Sequence, residues 1–313
     1  MPPVVLVENA PAKVNLTLRV IGRRADGYHE IESMVAFADF GDRLSFVRGS
    51  ALALTVRGPA AAQAGEGADN LVLRAARAIA ALRPDLALGT FRLDKRLPVA
   101  AGLGGGSADA AAALRLIARA NDLARDDPRL YAAARATGAD VPVCLDPRAR
   151  VMRGIGEVLS QPLALPPLPT LLVNPGIALA TKAVFASWVP SAAPAAHQAE
   201  LAPATIAALT SRERVLQFLA AQSNDLESAA IALAPAVADV LAALRALAGC
   251  RLARMSGSGA TCFALFASTA AAREAAKVLR GKYPRWWVRA CVLGGCDFGA
   301  ERSEKPARQK RHP

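Results

Sequence analysis

The sequence predicts an α+β protein of two domains. Short alternating strand patterns crowd the first hundred residues, and later segments pair single strands with helices, the mixture that sets helices against antiparallel sheets. A proline-rich stretch from Gln161 to Thr170 separates the two regions. The length of 313 residues also suits about two domains. The predicted boundaries are 1–160 and 161–300, with 301–313 as a basic, disordered tail. No internal repeat is visible.

Val4 to Val7 reads as a strand. Ala12 to Val20 alternates, with Val14, Leu16 and Leu18 on one face and Lys13, Asn15, Thr17 and Arg19 on the other. A turn at Asp26-Gly27 follows. Met34 to Phe40 and Arg43 to Val47 read as strands joined at Gly41-Asp42, and Leu52 to Val56 as another. Leu71, Ala75, Ala78 and Leu82 have helical spacing within Asn70 to Leu82. Thr90 to Leu93 is a predicted strand. Helices are predicted from about Ala108 to Ala120 and from Asp127 to Thr137, the latter stopping at Gly138. Past the boundary come a strand at Leu171 to Asn174 and a short helix at Lys182 to Trp188. Ser191 to Thr205, rich in alanine and proline, reads as a loop. Helices follow at 212–220, 226–232, 235–248 and 270–279. Strands follow at 251–255, 261–266 and 287–293.

Composition excludes several classes. Apolar residues make up 53%, too many for a disordered chain. Five cysteines, Cys144, Cys250, Cys262, Cys291 and Cys296, have no paired spacing, and His29, His197 and His312 lie far apart, so neither a disulfide framework nor a zinc site is expected. Unpaired thiols and an N-terminus without signal-peptide features predict a cytoplasmic protein. The longest uncharged run, Val158 to Thr181, holds five prolines, so no membrane span is expected. The net charge is +12. No stretch interleaves basic and aromatic residues as a nucleic-acid face would, so the charge reads as a solvated basic surface, which also suits an anionic small substrate.

Four segments carry chemistry. The first is Pro98-Val-Ala-Ala-Gly-Leu-Gly-Gly-Gly-Ser107, running into an alanine-rich helix. Its glycines let the backbone approach a ligand closely, and its amides lead to a helix N-terminus suited to phosphate. It is neither a Walker A sequence nor a dinucleotide fingerprint; the bland alternative is a flexible turn with Ser107 as an ordinary cap. The second is Lys13 with Asn15 on one strand face, which suits an oxygen-rich ligand or, equally, a solvated edge. The third is Thr137-Gly-Ala-Asp-Val-Pro142, whose Asp140 could act as base or metal ligand, or simply hold a turn. The fourth is Met255-Ser-Gly-Ser-Gly-Ala-Thr261 between two apolar strands, a second tight glycine loop or a hairpin turn.

Together and in this order, PAKVNLTLRVIGRRADGYHEIES, KRLPVAAGLGGGSADAAAAL, TGADVPVCL, NPGIALATKAVF, SNDLE and RMSGSGATCFALF resemble the GHMP kinase superfamily of small-molecule ATP kinases. The likeness runs from about Ala10 to Leu293. The GYHE segment sets the chain apart from mevalonate, homoserine and galactose kinases. The resemblance implies a ribosomal-S5-like N-terminal domain and a ferredoxin-like C-terminal domain, with the active site between them. It implies ATP with Mg2+, for which the sequence shows no dedicated cage, and a small cytidine diphosphate substrate phosphorylated on a hydroxyl in the non-mevalonate route to isoprenoid precursors. It implies Lys13 and Asp140 as the catalytic pair. The implied phosphate loop comprises Pro98, Val99, Ala100, Ala101, Gly102, Leu103, Gly104, Gly105, Gly106, Ser107 and Ala108. Asn70 and Lys95 would line the adenine site. Asn15, Tyr28, His29, Thr181 and Phe185 would form the substrate site, with Tyr28 and Phe185 enclosing the cytosine and His29 bonding its edge. No nucleic acid or membrane partner is implied, and the expected state is a monomer or weak homodimer. A related kinase with another acceptor, or a basic nucleic-acid-binding protein, are the competing readings.

Overall fold

The computed structural model describes residues 4–190 and 201–294. The expected tail at 301–313, residues 191–200 of the expected loop, and His197, His312 and Cys296 lie outside the described residues. The chain begins with β1 (Val5–Asn15), β2 (Arg19–Arg23), β3 (His29–Arg48) and β4 (Ala53–Arg57). Then come α1 (Ala61–Ala64), α2 (Leu71–Leu82), β5 (Gly89–Asp94), α3 (Gly105–Ala120), α4 (Pro128–Thr137), α5 (Val141–Leu145), β6 (Arg150–Gly154) and β7 (Val158–Leu159). The second half holds β8 (Leu168–Asn174), α6 (Thr181–Ser187), α7 (Pro203–Ala207), α8 (Arg212–Ala220), α9 (Glu227–Leu233) and α10 (Ala236–Arg245). It closes with β9 (Leu252–Met255), β10 (Cys262–Leu265), α11 (Thr269–Lys282) and β11 (Trp287–Leu293).

The strands run in the order β4-β5-β3-β11-β8-β10-β9, with β1, β2 and β6 also pairing on β3. In the first half, β4 and β5 are parallel and are connected through α1 and α2. In the second half, β8, β9, β10 and β11 form an antiparallel sheet in the order β11-β8-β10-β9, the ferredoxin-like arrangement. Leu293 opposite Ala38 joins the two parts.

Alternation along the strands sorts the core. Leu44, Phe46, Phe91 and Leu93 face the buried sides of α2 and α3, where Val72, Ile79, Leu114 and Ile117 lie. A second cluster fills the space between the C-terminal sheet and α9, α10 and α11. A third joins the halves: Val14, Leu16 and Met34 meet Leu172, Phe263 and Leu265, with Val215 and Leu219 of α8. The polar face of β1 is therefore buried too, and Lys13, Asn15 and Thr17 are all below 5% exposed. A solvated edge does not describe it.

Several boundaries depart from the sequence pattern. Gly41-Asp42 does not break the chain, and β3 passes straight through it. Gly41 is packed there against the backbone of Ala10 and Pro11, where no Cβ would fit. The helix expected from Ala108 starts at Gly105, with Gly104 as its cap and Ser107 inside its first turn. Glycine weakens a helix interior, but a Cβ at Gly105 would lie 3.1 Å from Lys95 Nζ and one at Gly106 3.2 Å from Leu71 Cδ1. Pro203 to Thr205, expected within a loop, begin α7. The short elements α5, β6 and β7 had no periodicity to reveal them.

Asn224 ties the second half together. Its amide donates to the carbonyls of Met255 and Gly257 at 2.9 and 2.8 Å and accepts from Leu226 N–H. It also bridges Leu18 at the end of the N-terminal strand region. Asn224→Ala orphans two buried carbonyls, and the expected loss is about 2–4 kcal/mol, read as a melting temperature lower by several degrees in calorimetry. An unchanged melting temperature would show that these loops are held by other means.

Candidate active site

Lys13 stands near the end of β1, opposite Phe37 of β3 and just past a register shift between Pro11 and Lys13. Its N–H donates to the carbonyl of Leu103 in the glycine loop at 2.9 Å. Its ammonium lies 2.9 Å from Asp140 Oδ2 and donates to Asn15 Oδ1 at 3.0 Å. Asp140 is the residue from which α5 starts, between the end of α4 and Pro142. The ammonium is buried, whereas the carboxylate keeps about a third of its side-chain surface open (36%). Residues 127 positions apart in the sequence thus meet at the edge of the glycine loop. Asn15 continues the polar chain, its amide donating to Ser33 Oγ at 2.7 Å, and Ser33 Oγ donating to Thr17 O.

The glycine loop is held from three sides. Ser256 Oγ accepts from Asn15 N–H and donates to Gly102 O at 2.9 Å. Thr261 N–H donates to Ala101 O, and Leu179 N–H to Ala100 O. The loop turns through positive φ at Ala100, Gly102 and Gly104. A Cβ on Gly102 would sit 2.3 Å from Ser256 O, and one on Gly104 3.1 Å from Lys13 Cε. These glycines are where the backbone of the loop, β1 and the 256–259 hairpin come too close for a side chain. Directly beyond them α3 presents its unpaired N–H groups, and such an N-terminus favours an anion.

A second cluster sits at the start of β3. The His29 ring stacks on Phe185 of α6 (centroids 5.1 Å apart, 27° between planes) and meets Trp188 edge-on. Burial, and then the nearby Arg23 charge, hold the His29 pKa below its ordinary value, so the ring is neutral at pH 7 and has one donor and one acceptor nitrogen. Tyr28 is 60% exposed. Thr181 Oγ1 pairs with Ser258 Oγ at 2.9 Å, which links α6 to the hairpin that braces the glycine loop.

The structure brings Lys13, Asn15 and Asp140 together with the loop Pro98 to Ala108. It brings His29 to Phe185, and His29, not Tyr28, covers that ring. Asn70 is used as the cap of α2, accepting from Val72 N–H and donating to Gly65 O. Lys95 departs from the expectation that it lines an adenine pocket. Only 3% of it is exposed, and its ammonium contacts Asp42 and Asp109 at 2.5 and 2.6 Å. The β5 strand register turns it inward beneath α3. Ser33, Ser256, Ser258 and Trp188 had no sequence assignment. The SGSG segment signalled only a tight glycine loop or a hairpin turn.

An ion pair, a glycine-built loop at a helix N-terminus and an aromatic cluster can position two ligands for phosphoryl transfer. The model of the GHMP kinases N terminal domain matches residues 70–146, and that of the GHMP kinases C terminal domain matches residues 205–285. The fold is also that of a homoserine kinase from Cytophaga hutchinsonii, at a TM-score of 0.68 and 19% identity over 94% of this chain and 97% of that one. The 4-diphosphocytidyl-2-C-methyl-D-erythritol kinase of Rhodopseudomonas palustris is 58% identical over 92% of this chain and 97% of its own length. That of Methylobacterium radiotolerans is 57% identical over 92% and 99%. A crystal structure of 4-(cytidine 5'-diphospho)-2C-methyl-D-erythritol kinase superposes with a TM-score of 0.73 at 37% identity, covering 93% of this chain and all of that one. The chain belongs to the GHMP kinases and, among them, to the family of these 4-diphosphocytidyl-2-C-methyl-D-erythritol kinases.

Gly104→Val tests the loop. It puts a β-branched side chain at φ +61°, against Lys13, where a left-handed L-residue alone costs about 1–2 kcal/mol. ATP affinity in titration calorimetry should fall roughly tenfold or more, with the circular dichroism spectrum retained. Undiminished affinity would mean that phosphates bind elsewhere.

Proposed function

We propose that the protein transfers the γ-phosphoryl group of ATP to the 2-hydroxyl of 4-diphosphocytidyl-2-C-methyl-D-erythritol, a step in the non-mevalonate route to isoprenoid precursors. The observation that carries this reading is the 2.9 Å Lys13–Asp140 contact on the wall of the glycine loop. The loop amides from Gly102 to Ala108 and the α3 N-terminus hold the nucleotide phosphates. Asp140 accepts the proton of the acceptor hydroxyl as its oxygen bonds to the γ-phosphorus and the bond to the bridging oxygen of ADP breaks. Lys13 stays against Asp140 and faces the charge on the transferring group. Asn15 and Ser33 hold the Lys13 ammonium in place. Little covalent assistance is needed, since positioning and charge neutralisation supply most of the acceleration.

Magnesium fits the site as part of the nucleotide complex. The ion would be carried by the ATP phosphates, where it neutralises their charge. The cytidine moiety is assigned to Tyr28, His29 and Phe185, with Trp188 extending the aromatic wall. Phe185 would stack on the base and His29 would bond its edge. Asn70 and Leu71 lie at the α2 end that touches Gly106, which supports an adenine site there. We take 1–160 and 161–300 as the two domains.

The deciding experiment is incubation with MgATP and a panel of alcohols: the cytidine diphosphate compound, mevalonate and homoserine. Mass spectrometry should find a single added phosphate on the first alone. Faster phosphorylation of another acceptor would keep the kinase but change its substrate. Asp140→Asn should leave both ligands bound while kcat falls by about 10²–10⁴. Near-normal turnover would remove Asp140 as the base. Phe185→Ala should weaken the cytidine substrate by about 1–3 kcal/mol and leave ATP affinity near that of the wild type. Equal weakening of both would assign Phe185 to packing alone.

A further inference from the structure

A second group of charges lies directly under the first turn of α3 and takes no part in the chemistry above. Lys95 follows β5, Asp42 belongs to β3 and Asp109 to α3, and all three are buried. A Cβ on Gly105 would come within 3.1 Å of Lys95 Nζ and 3.6 Å of Asp42 Oδ2. The triad therefore touches the backbone of the first turn of α3. Asp42 is fully satisfied. Its Oδ2 accepts from Lys95 at 2.5 Å, and its Oδ1 accepts from the N–H groups of Arg96 and Leu97 at 2.6 and 2.8 Å. Asp109 is not. Its Oδ2 accepts from Lys95 at 2.6 Å, but its Oδ1 is buried with no partner.

One ammonium thus faces two carboxylates. With all three ionised, the triad has a net charge of −1 beneath an anion site, and one carboxylate oxygen bears its desolvation uncompensated. A proton on Asp109 removes the net charge and lowers the desolvation cost, because a neutral carboxyl loses far less on leaving water than a carboxylate. Burial is the largest influence on Asp109. Against the pull of Lys95, and with the Asp42 charge adding to it, burial pushes the carboxyl up to about 7. Burial works against the Lys95 charge as well, yet Asp109 and Asp42 together hold its pKa above the ordinary value. The other elements packed on α3 add little charge here. The α5 helix offers the Cys144 thiol, pushed up to about 12 by burial, with Lys13 and Asp140 beyond it. The β1 residue Glu8 is paired with Arg115 and Arg119, and Arg74 of α2 donates to the Thr137 carbonyl. On α4, Arg129 pairs with the capping Asp127.

We propose that Asp109 is a positioning residue that takes up a proton when a nucleotide polyphosphate occupies the glycine loop. The proton comes from solvent and adds to the orphaned Oδ1. The triad then becomes neutral, and the Lys95 ammonium, with one counter-charge fewer, strengthens the positive end of α3. Nucleotide affinity and proton binding are linked, each favouring the other. This rests on the reading of the loop as the ATP site.

The test is titration calorimetry of the full-length wild type with Mg2+-saturated ATP, at several pH values, in pairs of buffers with different ionisation enthalpies. Proton uptake should be near zero at about pH 6, where Asp109 is already protonated, and should approach one proton per nucleotide by about pH 8. The apparent affinity should fall by up to about tenfold per pH unit above pH 7. Asp109→Asn mimics the protonated form. It should abolish the uptake, flatten the pH dependence and bind more tightly than the wild type at high pH. A merely structural role would weaken binding at every pH and leave the proton count as it was. Wild-type binding without proton uptake across this range overturns the proposal, and that result needs no variant to fold. Uptake persisting in Asp109→Asn overturns it as well, since the proton must then sit elsewhere. Absence of any nucleotide binding would instead overturn the kinase reading on which it rests.

Discussion

The candidate site depends on a lack of room. Three stretches of backbone converge at the glycine loop: β1 through the Lys13 N–H bond to Leu103, the 256–259 hairpin through Ser256, and the loop itself. A single Cβ on Gly102 would collide with a carbonyl at 2.3 Å. Because no side chain intervenes, the amides at the start of α3 lie beside the Lys13 ammonium, and the anion cradle and the ion pair form one surface. The positive φ of Ala100 belongs to the same crowding. It is a strained conformation for a residue with a Cβ, and the bond from Leu179 N–H to its carbonyl helps to hold it.

This crowding also explains why polar groups are tolerated at depth. Lys13 and Asn15 are removed from water, which is costly unless each donor and acceptor is met. Here each is: Lys13 by Asp140 and Asn15, Asn15 by Ser33 and Ser256. Arg254 follows the same rule. Burial lowers its pKa to about 10, and its guanidinium is met by the carbonyls of Leu16, Leu219 and Gln222, so a cation from the C-terminal sheet holds the end of the N-terminal strand region. Such buried networks fix one arrangement of the halves and leave few near-equivalents.

Much of this was legible in the sequence, and the failures have physical causes. The glycine run before an alanine-rich helix, the Lys13-x-Asn15 face and the Asp140 turn are local signals, and each marks residues that the fold brings together. Helix α2 was readable from its periodicity and helix α4 from its stop at Gly138, whereas their Asn70 and Asp127 caps emerge only from the structure. Asp42 was not readable, because Gly-Asp between two apolar runs is a turn signal, and only the packing of Gly41 on β1 keeps the strand extended. The inward direction of Lys95 depends on the register of β5 against β3, a long-range fact with no local trace. Trp188 follows a short helix, and nothing near it in the chain shows that His29 is its neighbour.

Ser256 has a consequence for how the protein is made. Its hydroxyl bonds both Asn15 and Gly102, and it lies 154 positions beyond the latter. A ribosome releases residues 4–160 long before this serine emerges. The nascent first half can gather its own apolar core, since the residues of that cluster all lie within it, but its glycine loop still lacks the brace from Ser256 and Thr261. The bracing of the glycine loop is therefore completed late in translation, when the last hairpin closes, and chains truncated before that point are left with an unsupported loop.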